Sequence, residues 1–385
     1  MTPPVAISGS HAIPTTRAVA VPWYVWCSVA AVTFAMVGVH WDISWHRSIG
    51  RDTFWTPAHI AIHICGVLAG ISCGYLILST TFNPSSLLRH CSVSVWGFRG
   101  PLGAFIAAWG GIAMITSAPF DNWWHDAYGL DVKILSPPHM VLALGIFAVH
   151  VGGLILILGQ MNRATGELHA RLQKMFLYVG GMTLVNLTIV QLELTGRWFM
   201  HTAKFYRITA LVAPPILAGV GRASKYKWGA TTVAGIYWAF IFLIGRILPM
   251  FPAEPKLGPV YTNVTQFVPP DFPLLYVVPA FALDLLWQRT KDWGSVKQAV
   301  VSAFVFLAVF AAVQWPFGSF LNSPAARNWF FGAKYSGFQN TPNFRFLAAE
   351  HGTALWQEFG RMISTAIFTT WLGLAWANWM QRIRR

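Results

Sequence analysis

Thr56-Pro57-Ala58-His59-Ile60-Ala61-Ile62-His63-Ile64-Cys65-Gly66-Val67-Leu68-Ala69-Gly70 opens a run that meets no Asp, Glu, Lys or Arg before Arg89. About 20 residues without charge is the length that crosses a bilayer as helix, and a hydroxyl residue followed by proline suits the start of one. A membrane span therefore follows from this stretch alone. The pattern returns at Ser136-Pro137-Pro138-His139, heading a second uncharged run that lasts to Arg163.

Comparable runs begin near Val21, Pro57, Pro101, Pro137, Lys174, Ile208, Gly229, Phe272, Lys297 and Met362. Of the 385 residues 55% are hydrophobic and only 10% charged, and twenty are Trp, which excludes a water-soluble globule of ordinary surface. The expected fold is an all-α polytopic integral membrane protein of about ten transmembrane helices. Residues 1–172 form a four-span region of two helical hairpins related by a parallel repeat, and 173–385 a six-span region with long extracytoplasmic loops.

The net charge of +14 does not point to nucleic acid, because of where the charges fall. Arg17, Arg89, Arg99, Arg163, Arg171, Lys174, Arg222, Lys225, Lys227, Arg289, Lys291, Lys297, Arg382, Arg384 and Arg385 gather in alternate connections and at the termini, with only Glu167, Asp284 and Asp292 among the acids there. This is the positive-inside pattern. It predicts a multi-pass protein of the cell inner (plasma) membrane, both termini cytoplasmic, with basic groups against anionic lipid. The first hydrophobic run follows a long polar, Pro-rich start, so it reads as a retained anchor and not a cleavable signal peptide. Cys27, Cys65, Cys73 and Cys91 lie in or beside spans without a close pair, and neither a disulfide scaffold nor a thiolate zinc site is expected.

A repeated set of ionisable residues interrupts this apolar chain. Asp42 precedes His46 by four residues and His59 follows; Asp121 precedes His125 by four and His139 follows. The offset is the same from Asp42 to Asp121, His46 to His125 and Asp52 to Asp131, and one residue longer for the Pro57/Pro137 and His59/His139 pairs. Four residues is one helical turn, so each Asp–His pair shares a helix face if its span continues that far. His59 and His139 then sit in the first turn of the next helix, and each hairpin closes an Asp–His–His set at the extracytoplasmic rim, the two sets on adjacent hairpins being able to line one cavity.

Two imidazoles and a carboxylate suit copper, zinc or iron without choosing among them. Three protein ligands leave a coordination position open. Asp52 and Asp131 are candidate acceptors behind the imidazoles, with pairing to Arg51 the plainer reading of Asp52. His63, one turn beyond His59, is a candidate extra ligand whose repeat counterpart is Ala143, and His150 has no counterpart at all. Glu193, His201 and Glu350-His351 are weaker candidates on the same face, with pairing to Arg197, four residues on, the plainer reading of Glu193; Asp284 needs only a basic neighbour such as Arg289. Asn263-Val264-Thr265 matches a glycosylation acceptor.

The stretch Trp45-His46-Arg47-Ser48-Ile49-Gly50-Arg51-Asp52-Thr53-Phe54-Trp55-Thr56-Pro57-Ala58-His59-Ile60 resembles the copper-ligating transmembrane subunit of the copper membrane monooxygenases, the particulate methane and ammonia monooxygenases. The resemblance covers roughly residues 20–160. It implies that Asp42, His46 and His59 form one copper site, and that Asp121, His125 and His139 form the second, where the family uses Asn, His and His at the same intervals. Asp121 therefore adds a negative charge. The resemblance also implies companion membrane subunits, and nothing after Lys174 aligns with it.

The function expected on these grounds is a copper-binding membrane oxidoreductase, or the metal-bearing subunit of a monooxygenase-like complex, activating dioxygen for a small substrate, apolar if it arrives through the bilayer. Two other classes fit the same residues: a copper carrier or insertion factor for a respiratory oxidase, and a structural subunit with degenerate metal sites. Ligands clustered on one face favour a fixed site over a translocation path, which would place them near mid-membrane.

Overall fold

Each uncharged run folds as helix, because a backbone without water must satisfy its own hydrogen bonds. The computed structural model describes residues 20–50, 53–129, 136–196, 199–255, 264–332 and 352–384. Among them are ten α-helices: α1 (Trp23–Ser48), α2 (Pro57–Phe82), α3 (Leu102–Tyr128), α4 (Pro137–Met161), α5 (Gly166–Thr195), α6 (Ala203–Ala223), α7 (Gly229–Ile247), α8 (Val277–Arg289), α9 (Ser295–Leu321) and α10 (Gly352–Met380). Seven of the described helices, α1 to α5, α7 and α9, are long and apolar enough to cross a membrane. The protein is thus a helical, multi-pass membrane protein by length and composition.

Boundaries depart from the sequence expectation in places. α5 begins at Gly166 rather than near Lys174, so that Glu167 and Arg171 fall one turn apart and pair at 2.5 Å. α9 runs through Pro316 to Leu321, so this proline lies inside the helix. Between α2 and α3 lies a small ribbon, β1 (Val93–Val95) against β2 (Phe98–Gly100), turning at Trp96-Gly97 with both residues at positive φ.

α1 packs on α2, α2 on α3, α3 on α4 and α1 on α4. Small residues let these backbones touch, as is usual where lipid offers no hydrophobic drive between helices. A Cβ on Gly110 would lie 2.6 Å from Gly145 O, and one on Gly38 2.8 Å from Ile62 N. α5 joins the two halves, contacting α1, α4, α6 and α7, and one contiguous buried cluster runs from α1 to α10.

The C-terminal end of α1 is braced by the second half. Ser44 Oγ donates to Val268 O (2.6 Å), and Val268 N donates to Ser48 Oγ (2.8 Å). Trp41, Trp45 and Ile49 pack beside them against Leu248 and Phe267. At the opposite end the basic connections are tied together: Arg384 donates to Asn162 O, Gln381 to Arg222 O, Gln173 to Ser224 O and Gln288 to Lys227 O. Asp284 corrects an expectation. Its partner is not a base but the start of α7, its oxygens accepting Ala230 N (3.2 Å) and Thr231 N (2.8 Å).

Candidate metal centre

α1 continues past Asp42 to Ser48 and α3 past Asp121 to Tyr128, so each aspartate and the histidine four residues later share a face. α2 and α4 start at Pro57 and Pro137, with His59 and His139 in their first turns. Ser136 caps α4, accepting from His139 N at 3.5 Å. Thr56 does not cap α2; its hydroxyl accepts instead from Thr53 N at 2.9 Å, closing the turn that precedes the helix.

The two hairpins present the same arrangement atom for atom. Asp42 Oδ2 lies 3.8 Å from His46 Nε2 and Oδ1 lies 3.1 Å from His59 Nε2. Asp121 Oδ2 lies 3.4 Å from His125 Nε2 and Oδ1 lies 3.5 Å from His139 Nε2. In both copies the carboxylate bridges an imidazole of its own helix and an imidazole of the next. Yet Asp42 Oδ1 and Asp121 Oδ1 are buried and make no hydrogen bond. Close approach without hydrogen-bond alignment leaves these two buried carboxylate oxygens without a hydrogen-bond partner.

By chemical type these donors suit a transition metal. Donor atoms held at about 2.0–2.1 Å from one ion, at angles between right and trigonal, stand roughly 2.9–3.6 Å from one another. Three of the four observed separations fall in that interval and the Asp42–His46 separation lies just beyond it. Among the described residues no group of three or more His, Cys, Asp or Glu side chains is arranged to enclose an ion as it stands; what the two sets share is pairwise approach through the carboxylate.

Both sets open on one cavity of about 470 Å³ between the hairpins. Asp42 and His59 line it from one side, Asp121, His125 and His139 from the other. His46 does not line it, and 51% of its side chain is exposed. Phe54, Ile62, Ala118, Pro138 and Leu142 supply apolar wall. Sequence reasoning missed Thr53, Ser117, Asn122 and Asp126, which also line it. Asn122 and Asp126 carry a signal that could have found them: they follow Asp121 and His125 by one residue each, one turn apart, and Asn122 donates to Asp126 (3.4 Å).

Other candidates lie elsewhere. His201 is bonded to α9 through Trp315 O (3.1 Å) and Ser319 Oγ (2.9 Å). His150 is fully buried, its Nδ1 donating to Ile146 O at 2.9 Å. Glu193 stands within electrostatic reach of Arg47 and Asp271. Arg51, Asp52, Asp131, Arg197, Asn263, Glu350 and His351 lie outside the described residues. No family model, no curated protein and no solved structure matches this chain.

Proposed function

We propose that the protein is a copper-binding membrane oxidoreductase, or the metal-bearing subunit of a monooxygenase-like complex. Asp42, His46 and His59 hold one ion, and Asp121, His125 and His139 a second. One observation carries this reading: the same carboxylate-between-two-imidazoles arrangement occurs twice, with matched atoms, around one cavity. Apolar packing gives no reason to repeat ionisable groups in a membrane protein, where they are costly unless they bind something. Similarity of the Trp45 to Ile60 stretch to the copper membrane monooxygenases selects copper among the metals this donor set accepts.

Bound copper would supply redox chemistry with dioxygen, which imidazole and carboxylate cannot perform themselves. The chain's residues do the rest. Asp42 and Asp121 each bring one negative charge to offset a cation, the imidazoles orient toward it, and Phe54, Ile62 and Leu142 keep the cavity wall apolar, limiting water and favouring a small apolar substrate. In this reading all ten helices sit in the membrane, with α6, α8 and α10 as the shorter or more polar spans. The tied basic connections face the cytoplasm, the cavity faces the other side, and companion subunits complete the complex.

The test is elemental analysis, with electron paramagnetic resonance, of full-length protein expressed with added copper and extracted in mild lipid-containing detergent. Two copper ions per chain are expected, falling to one in His125→Ala and to one in the double variant Asp42→Ala, His59→Ala. Protein that carries no copper overturns the reading.

A further inference from the structure

His63 belongs to neither repeated set, yet it lines the same cavity. It follows His59 by one turn of α2, so both rings leave one face of the helix, their centroids 6.4 Å apart. Two histidines at this spacing on one helix face are a recurrent way to grip a single metal ion. His63 Nε2 is buried and meets no hydrogen-bond partner, an arrangement that destabilises a protein unless something else occupies the lone pair or proton. The ring is held: Phe54 stacks on it with centroids 5.1 Å apart and planes at 30°, and Trp55 meets Phe54 edge-on at 4.8 Å. A ring fixed by stacking, with a buried nitrogen that lacks a hydrogen-bond partner beside a cavity lined by carboxylates, is preorganised for a ligand.

The second hairpin has no equivalent. One turn beyond His139 stands Ala143, which has no donor atom in its side chain. We propose that His63 is a fourth protein donor of the first ligand set, so that the two sets are inequivalent: Asp42, His46, His59 and His63 against Asp121, His125 and His139. This rests on the metal-binding reading of the first set. Four protein donors close a tetrahedral site, whereas three leave a position for an exogenous ligand. The first set then retains its ion, and the second is the one that admits a small molecule from the cavity.

The experiment follows copper loss from the full chain in lipid nanodiscs after addition of a copper chelator, by metal content and by the nitrogen splitting in electron paramagnetic resonance. From the parent, one ion leaves about tenfold more slowly than the other, a change of the size produced by one well-placed group near a metal. His63→Phe keeps a ring against Phe54 but removes the donor, and both ions then leave at the faster rate, with one site losing a coupled nitrogen. Ala143→His slows the second ion. Two ions leaving alike from the parent, or unchanged loss and splitting in His63→Phe, overturn the role of His63 while the metal reading stands; a parent without copper overturns both. Should His63→Phe fail to fold, Ala143→His decides alone: slower loss supports the proposal and no change overturns it.

Discussion

Under the proposed copper reading Asp121 matters most at the second set, because it brings a carboxylate where an amide would bring no charge. Its two oxygens reach His125 and His139 at 3.4 and 3.5 Å, so the extra charge sits where a cation would be held. Asp121→Asn is expected to weaken copper at the second set by roughly 10- to 100-fold while leaving the first unchanged, read by competition titration with a copper chelator. Equal affinities in parent and variant would show that the carboxylate contributes nothing to binding. The six ligand-type residues were legible because interval and helix periodicity are local quantities, the same in any fold. The cavity wall was not, since whether Thr53, Ser117 or Asp126 faces His139 depends on how two hairpins dock. The hydroxyl of Thr56 shows the limit at closest range: a good capping residue by sequence, it turns back to Thr53 N instead.

Among the elements, α1, which carries Asp42 and His46, is the helix that the second half of the molecule holds in place. Ser44 and Ser48, one turn apart, clasp both polar groups of the Val268 backbone, and no such clasp exists on α3 among the described residues, where Trp123 and Ala127 occupy the equivalent positions and Trp123 is exposed. Replacing both serines by alanine removes three buried hydrogen bonds, the two to Val268 and the one from Ser48 Oγ to Ser44 O, at about 1 kcal/mol each. The double variant Ser44→Ala, Ser48→Ala should unfold at lower temperature and show faster amide exchange at Val268. It should also lower metal retention at the first set more than at the second. Unchanged exchange at Val268 would show that the clasp does not hold. The segment before α8 teaches a related lesson. Hydropathy places a span from Phe272, but helix begins only at Val277, because Leu274 N and Leu275 N donate to Tyr237 Oη and Gln314 Oε1 (both 3.0 Å) instead of entering a helix. Such backbone is tolerated at depth only where buried side chains satisfy it.

For the whole molecule, the position of the ligands relative to the basic end separates a fixed centre from a carrier. The two repeated Asp–His–His sets lie at the C-terminal ends of α1 and α3 and the N-terminal ends of α2 and α4. The tied basic connections include the α4–α5 loop, at the other end of α4. A translocation route would distribute ligands between those ends. Copper added outside proteoliposomes should therefore bind to the protein without accumulating in the lumen; time-dependent luminal copper would favour a carrier.

Composition and the spacing of uncharged runs were enough to establish a helical membrane protein and to pick out the six side chains that repeat, because hydrophobicity and the helical turn are properties of short stretches of chain. Three outcomes needed the folded molecule: the two sets face one cavity, His63 joins that cavity while His46 stays outside it, and Asp284 caps α7. Each depends on how helices far apart in sequence approach one another. That approach is set by contacts such as Gly110 against Gly145, whose effect arises only when both helices are in place.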